Sequence, residues 1–366
     1  MKKSTLRSTV KLTAIFYIIA IAGIVTIVNS CSKKEQAPQL TQSAVKAAPV
    51  AAPAVPLQQN VPQTKVVTVA NIRLSGDGST SEVMFNELAE LFTVKDATVS
   101  ASLKTALSAQ KVISIQFDPW SGVVLAANNA SDQDAQIHSG RQINSNLGTP
   151  LKVDLASVNT DVMNSAPAMA ILNTTATGLT NVVPDMATAQ LMFDYITKQC
   201  CANAGPYGID YCISFQYCED GCYARAHKMC WIINNVYHYN THKIFSFANA
   251  GSDELCVKCE KWRGCCVNWW YHVAPLVNIK TTTGIQAFVF DPAMFDQPVL
   301  LATWLHAQTN PTCVPTGDVP HVSMINIQPT SSYSPSSYSG YSFDTDPTYS
   351  ATDGTLTSYA PLHTCY

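Results

Sequence analysis

The second half of the 366-residue chain contains the stretch Glu219–Asp–Gly–Cys–Tyr–Ala–Arg–Ala–His–Lys–Met229. From Cys222 to Ile233 there is no proline or glycine, so we predict a helix that begins at the cysteine. Asp220 is a good N-cap residue, because its carboxylate can accept hydrogen bonds from the first-turn N–H groups. A cysteine in the first turn faces the positive end of the helix dipole, which favours the nucleophilic thiolate. Gly221 leaves room for a substrate carbonyl to approach.

The alternative for Cys222 is a disulfide bond. The chain has 13 cysteines, and an exported chain with this many commonly pairs them. If Cys222 is free and Cys31 is set apart, an odd number remains, so at least one further thiol is free.

Downstream, residues 268–279 and 285–290 are rich in aromatic and β-branched residues. The short segment Lys280–Thr–Thr–Thr–Gly284 separates them, which predicts a β-hairpin. We expect Ile279 to face Gly284 across this hairpin.

That pairing makes His272 and Asp291 cross-strand neighbours, with Cβ atoms about 5 Å apart. A carboxylate at that distance fixes the imidazole tautomer and stabilises its protonated form. We therefore predict Cys222 as nucleophile, His272 as base and Asp291 as the orienter of the base. Strand alternation places Trp270 on the face of His272, where it can wall a substrate cleft. The alternative for His272 is a buried structural histidine.

Several motifs of this region resemble the protein-glutaminase (protein-glutamine deamidase) family of secreted bacterial enzymes. The similarity spans about Leu179 to Trp304 and is carried by the following matches: Asp220–Gly–Cys–Tyr–Ala–Arg–Ala–His–Lys–Met229, Cys265–Cys–Val267 with Tyr271–His–Val–Ala274, Asp291–Pro292 with Phe295, and Val183–Pro–Asp–x–Ala–Thr188 with Phe193.

The resemblance implies an α+β fold with a papain/transglutaminase-like cysteine hydrolase core and a triad of Cys222, His272 and Asp291. It implies hydrolysis of the side-chain amide of protein-bound glutamine through a thioester, with no cofactor or metal. Gly221, Tyr223 and Trp270 are the candidate substrate contacts. A small α+β pro-domain would precede this core, cover the active site and be removed by an activating protease.

The chain divides into four predicted parts. Residues 1–30 have a basic start and an apolar run that ends before Cys31, which predicts a lipoprotein-type signal peptide with Cys31 acylated. The alternatives are an ordinary cleaved signal and a retained anchor helix. Residues 31–63 form an Ala/Pro-rich linker. Residues 64–178 form the pro-domain, or alternatively a plain scaffold domain, and residues 179–366 form the catalytic domain.

Within the predicted pro-domain, Val66–Leu74 and Val112–Phe117 are typical of strands, and Gly122–Ala126 is strand-like. Val99 to Gln110 is typical of a helix. At the other end, residues 329–361 are dense in Ser, Tyr, Thr and Pro, and we predict a long irregular surface loop there.

The cluster Cys256–x–x–Cys259 with Cys265–Cys266 permits a zinc site, but adjacent cysteines make a poor second pair of ligands. We predict disulfides instead. The sequence does not define their connectivity, and Cys313 with Cys365 is the one pairing we expect.

The formal net charge is −3, and the chain has no basic stripe or Gly-rich phosphate loop, which excludes nucleic acid and nucleotides as predicted ligands. We predict an exported outer-membrane, cell-surface or secreted enzyme that acts on proteins or peptides with exposed glutamine. Two alternatives stay open. A papain-like peptidase or transglutaminase-type acyl transferase can use the same triad, and a disulfide-rich surface binding protein would have no activity.

Overall fold

The fold is described from a computed structural model, which describes residues 61–75, 78–145, 151–152, 178–203, 209–248, 253–259, 261, 264–313 and 319–364. The predicted signal peptide, Cys31 and nearly all of the linker lie outside the described residues. Cys365 and residues 153–177 also lie outside the described residues. No helix in the described ranges is long and apolar enough to span a membrane.

The described elements alternate between short strands and a few helices. The helices are α1 Ala97–Ala109, α2 Asp132–Ser139, α3 Met186–Lys198, α4 Cys222–Asn235, α5 Leu301–His306 and α6 Ser350–Tyr359. The strands of the N-terminal region are β1 Gln63–Leu74, β2 Ser81–Phe85, β3 Leu88–Val94, β4 Val112–Asp118, β5 Val123–Asn129, β6 Ile143–Ser145 and β7 Leu151–Lys152. Those that follow are β8 His242–Phe247, β9 Asp253–Cys259, β10 Cys265–Trp269, β11 Tyr271–Thr281, β12 Gly284–Val289, β13 Val299–Leu300, β14 Val319–Pro320, β15 Met324–Pro329, β16 Ser332–Pro335 and β17 Ser342–Thr345.

The N-terminal region confirms the predicted strands and helix as β1, β4, β5 and α1. Asp96 caps α1, because its carboxylate accepts from the N–H groups of Thr98 and Val99 at 2.7 and 2.9 Å. The helix buries Leu103 and Ala106 against this sheet. The sequence analysis missed the hairpin of β2 and β3, which joins the site described below.

An eight-stranded sheet runs through both halves of the chain, in the order β14-β9-β10-β3-β2-β1-β4-β5. The junction is the antiparallel pairing of β3 with β10, where Glu90 faces Trp269. Strands from the N-terminal region and from the downstream half therefore share one hydrogen-bonded sheet.

A second, six-stranded sheet has the order β13-β12-β11-β8-β15-β7. Helix α4 packs on its central strand β11 and on α6. Most residues of α4 are buried, including Arg225 and His227 as well as the apolar positions. The helix predicted from Cys222 is thus the centre of the downstream half.

The prediction of a long irregular loop over residues 329–361 is wrong. This segment contains β16, β17 and α6, and β16 and β17 join β6 in a three-stranded sheet. Leu356 and Tyr359 of α6 are buried. The polar composition hid this order because several hydroxyl groups are used internally; for example, Thr352 Oγ1 donates to Asp346 at 2.7 Å.

Two disulfides are described, Cys201–Cys212 and Cys266–Cys313. The prediction that Cys313 pairs with Cys365 is therefore wrong, since the hairpin β9–β10 brings Cys266 to Cys313 instead. Cys265 is also disulfide-bonded, whereas Cys256 is a buried free thiol. Cys265 and Cys266 are each disulfide-bonded, which favours the disulfide prediction for this cluster over the zinc alternative.

We expect the two described disulfides to differ in their effect on stability. Cys266–Cys313 closes a separation of 47 residues and Cys201–Cys212 one of 11. Chain entropy then predicts that replacing the first pair by alanine lowers the free energy of unfolding by about 4 kcal/mol, and the second by about 3 kcal/mol. Urea denaturation of the two double variants and the parent chain measures this. A larger loss for Cys201–Cys212 would contradict the ordering.

Candidate active site

Helix α4 begins at Cys222, as predicted, but its cap differs from the prediction. The N-cap residue is Gly221, with φ of 81°, and no side chain caps the helix. Glycine suits this left-handed conformation. A Cβ at Gly221 would also lie 2.9 Å from the Tyr359 ring, so there is no room for a larger residue.

The Asp220 carboxylate points away from the helix start. Its Oδ2 accepts from the hydroxyls of Tyr223 at 2.9 Å and Tyr359 at 2.8 Å. Its Oδ1 accepts from the main-chain N–H of Ala89 at 2.6 Å. Asp220 was therefore wrongly predicted as the N-cap; it links the helix start to β3 and to α6. Tyr223, a predicted substrate contact, is buried and holds this carboxylate.

His272 and Asp291 meet, as predicted: the His272 Nε2 to Asp291 Oδ2 distance is 2.8 Å. The register behind this contact differs from the expected one. Thr281 faces Gly284, so the pairing is shifted by two residues, and β12 ends before Asp291. Asp291 lies beyond the paired strands and reaches His272 from the loop that follows.

Two indole rings enclose the His272 imidazole. Trp269 stacks on the imidazole with ring centroids 4.1 Å apart, and the ring of Trp304 stacks on it with centroids 5.4 Å apart. Trp304 Nε1 also donates to Asp291 Oδ2 at 2.9 Å. Strand alternation would point Trp269 away from His272, and the stacking shows that this expectation is wrong. Trp304 was missed because it comes from a separate helix, α5.

The pair is fully buried, and this sets its protonation. Burial opposes ionisation of Asp291, but His272 and the Trp304 N–H outweigh it, so the pKa of Asp291 lies below its usual value. Burial lowers the pKa of His272, against the attraction of Asp291. The pair is therefore an ionised carboxylate that accepts from Nε2 of a neutral imidazole. The other ring nitrogen, Nδ1, has no hydrogen-bond partner among the described residues.

Cys222 lies against the strand that carries His272. The Val273 N–H is close enough to the Cys222 sulfur to favour its thiolate, as does the charge of Arg225. Burial outweighs both and raises the pKa of the Cys222 thiol, whose residue is 1% exposed. The expected thiolate is thus not the favoured form in this covered arrangement. Cys222 is a free cysteine, so the disulfide alternative is wrong for the described structure.

Trp270 does not share the face of His272, because the chain bends between β10 and β11 and interrupts the alternation. Its indole Nε1 donates to the carbonyls of Leu88 at 2.7 Å and Phe85 at 3.2 Å. Its main-chain N–H donates to the Ala89 carbonyl at 3.1 Å. Trp270 therefore binds the β2–β3 hairpin in this structure rather than lining an open cleft.

Among the residues that the structure describes, no group of three or more His, Cys, Asp or Glu side chains is arranged to hold a metal ion. The arrangement that is present, a free cysteine at a helix start beside a His–Asp pair, is that of cysteine-dependent hydrolases.

Comparisons with known proteins agree with this class. The glutaminase family model Gln_deamidase_2 matches residues 189–308. A crystal structure of pro-protein-glutaminase is 25% identical and has a TM-score of 0.59; the match covers 83% of this chain and 95% of that one. The NMR structure of protein-glutaminase from Chryseobacterium proteolyticum is 33% identical over 51% of this chain and 93% of that one, with a TM-score of 0.43. No curated protein sequence matches significantly.

The family match and the pro-protein-glutaminase structure place the chain within a defined group of enzymes. The chain belongs to the protein-glutaminase family. Its mixed fold of sheets and a few helices is similar to that of pro-protein-glutaminase.

The lowered pKa of His272 predicts how the free energy of unfolding changes with pH. Because the pKa of His272 is lowered in the folded chain, the imidazole takes up a proton near pH 6.5 in the unfolded chain but stays neutral in the folded one. Stability contributed by His272 therefore falls as the pH drops below about 6.5, by up to about 1.4 kcal/mol per pH unit. In urea denaturation between pH 7.5 and 5, we expect the stability difference between the parent and His272→Gln to change little above pH 6.5 and to shrink below it by up to about 1.4 kcal/mol per pH unit. A difference that is constant over this range would contradict the lowered pKa.

Proposed function

We propose that this enzyme hydrolyses the side-chain amide of glutamine in proteins or peptides and releases glutamate and ammonia. The observation that carries the proposal is the 2.8 Å His272–Asp291 contact beside the helix that Cys222 begins, in a chain of the protein-glutaminase family. The similar solved structures are those of protein-glutaminase and its pro-form, and we extend that activity to this chain.

In the proposed reaction, His272 takes the thiol proton and the Cys222 sulfur attacks the amide carbon. The free Nδ1 of His272 is the atom available for this proton, since Nε2 is held by Asp291. Ammonia leaves with a proton from His272, and a thioester forms. Water, activated by His272, then hydrolyses the thioester to glutamate and restores the thiol.

Asp291 orients His272 and stabilises its protonated form. The Cys222 main-chain N–H is the first candidate donor to the oxyanion, because it lies in the open first turn of α4. Gly221 leaves that N–H accessible to a substrate carbonyl. The core that carries these residues is proposed to be of the papain/transglutaminase type.

We propose further that residues 64–178 are a pro-domain that inhibits the enzyme until a protease removes it. Support comes from the hairpin of β2 and β3, here called the covering hairpin (Ser81–Val94). It contacts Asp220, two residues before Cys222, and Trp270, two residues before His272. Both Cys222 and His272 are 1% exposed beneath it. Removal of the hairpin would open the site and lessen the burial that raises the pKa of Cys222.

A group of buried acids lies where the covering hairpin meets the downstream half. Burial and the nearby charges of Glu219, Asp220 and Asp118 raise the pKa of Glu90. Burial raises the pKa of Glu219 to about 8. One Glu90 oxygen, Oε2, has no hydrogen-bond partner in the described part of the chain. These protonated acids fit a contact that holds at neutral pH and weakens as the pH rises.

Export is proposed from the N-terminal sequence alone, with Cys31 as a site of lipidation and a membrane anchor. The two disulfides are consistent with an oxidising compartment. A peptidase or acyl transferase remains the second candidate, since the same triad can serve both; what leaves the thioester distinguishes them.

The first test is ammonia release from a protected glutaminyl-glycine and from casein. The full-length folded chain would carry an inserted site-specific protease sequence after Thr177 and be cut before assay. We expect Cys222→Ala and His272→Ala to abolish release and Asp291→Asn to lower it by about 10⁴-fold. Cys230→Ala, which removes another buried free thiol of α4, is the matched control and should stay active.

Gel electrophoresis of the casein is run in parallel. Shortened casein chains would favour a peptidase, and cross-linked chains an acyl transferase. Full activity of Cys222→Ala would exclude the proposed nucleophile.

The second test concerns the buried acids. A carboxyl group whose pKa is raised by the contact favours the contact at low pH, where it is protonated. This stabilisation is lost as the pH rises through the pKa in the folded chain, which is about 8 for Glu219. After the cut, we expect the covering segment to dissociate more readily at pH 9 than at pH 6, as measured by size-exclusion chromatography. Glu90→Gln should flatten this dependence. The control is Asp132→Asn, an exposed carboxylate of the same segment, which should leave it unchanged. An equal pH dependence in parent and Glu90→Gln would refute a role for Glu90.

A further inference from the structure

The Asp220 carboxylate has an unusual set of partners for a buried anion. It is fully buried, and the partners described for it are two tyrosine hydroxyls on Oδ2 and a single main-chain N–H on Oδ1. The Arg225 guanidinium, which is near, donates to the main-chain carbonyl of Asp220 rather than to its carboxylate. Oδ1 therefore depends on a main-chain N–H that belongs to the covering hairpin.

Ala89, which supplies that N–H, is held at both of its peptide groups. Its N–H donates to Asp220 at 2.6 Å, and its carbonyl accepts from the Trp270 N–H at 3.1 Å. The carbonyl of Leu88 accepts from Trp270 Nε1 at 2.7 Å. Asp220 Oδ1 as acceptor, and the main-chain N–H and Nε1–H of Trp270 as donors, form a frame for the main chain of an extended peptide. The side chain of the bound residue takes no part in these hydrogen bonds.

The position of the frame relates it to the reaction. Asp220 precedes Cys222 by two residues, and Trp270 precedes His272 by two. The residue bound between Asp220 and Trp270 therefore lies between the elements that carry the nucleophile and the base. When the covering hairpin leaves, Oδ1 loses its only described partner and the frame becomes free for another extended chain.

We propose that Asp220 is a substrate-positioning residue whose Oδ1 accepts the main-chain N–H of the glutamine that Cys222 attacks. The inference rests on the proposed deamidase function and specifies its substrate class: a glutamine in an extended segment whose own main-chain N–H is free to donate. Tyr223 and Tyr359 position the carboxylate by donating to its other oxygen. A glutamine whose N–H is already bonded inside a helix or sheet would not meet this requirement.

The test removes the donor and the acceptor separately and together. The donor is removed by replacing the glutamine N–H of a protected glutaminyl-glycine with an ester oxygen, which keeps its shape. The acceptor is removed by Asp220→Ala in the full-length chain cut at the inserted site. Ammonia release gives kcat/KM for the four combinations. A hydrogen bond to a charged group predicts a loss of about 10- to 100-fold for the ester with the parent enzyme.

The result expected is that Asp220→Ala loses a similar factor in kcat/KM on the amide and that the ester costs it little more. Non-additivity of this kind reports a direct contact, because a variant that merely disturbs the fold would lower kcat/KM equally for both substrates. Asp194→Ala, the same exchange at an exposed position of α3, is the matched control. Tyr359→Phe keeps the carboxylate and should give a smaller loss that is again confined to the amide substrate.

Equal penalties for the ester in parent and Asp220→Ala would overturn the inference, as would equal rates on amide and ester with the parent. Both outcomes leave deamidation itself intact, because ammonia is still released and still requires Cys222. Absence of ammonia from every combination, with folded and cut protein, would instead refute the proposed function.

Discussion

The structure depends on the burial of most of helix α4. A helix that is largely buried must have partners for its buried polar side chains, and the surrounding elements supply them. Arg225 donates to the carbonyls of Tyr217 and Asp220 at 2.8 and 2.7 Å, which shapes the turn before Cys222. The position of the proposed nucleophile is therefore fixed by contacts made one turn further along the same helix.

His227, on the same helix, shows how far this requirement extends. The ammonium of Lys243 on β8 donates to His227 Nδ1 at 2.7 Å and also to the carbonyl of Ser332. Burial and the charge of Lys243 lower the pKa of His227 to about 2, and burial lowers that of Lys243 to about 8. The histidine is thus a neutral acceptor for a buried lysine. Because Ser332 begins β16, the C-terminal segment is part of the enclosure of α4 and not a surface loop.

Local patterns in the sequence predicted the helix at Cys222 and the contact of His272 with Asp291, because both follow from short-range features. The details that complete the site come from distant parts of the chain. Trp304 and Tyr359 reach it from helices that pack only in the folded state, and no spacing in the sequence indicates them. The N-cap prediction for Asp220 failed for a related reason: its carboxylate accepts from two tyrosine hydroxyls and from the N–H of Ala89, which lies 131 residues earlier in the chain.

The covering hairpin joins the downstream half through apolar packing and through hydrogen bonds that use the main chain of the hairpin. Its buried apolar residues, among them Phe85 and Leu88, belong to the same core as Trp269 and Trp270. Trp270 donates to three carbonyls of the hairpin, and Asp220 accepts from one of its N–H groups. Each such bond contributes about 1 kcal/mol net. The covering hairpin also shares a sheet with β10, so it is held in one register. Because these hydrogen bonds use only main-chain groups of the hairpin, they do not depend on its side chains, and the same positions on Asp220 and Trp270 suit an extended chain of another sequence.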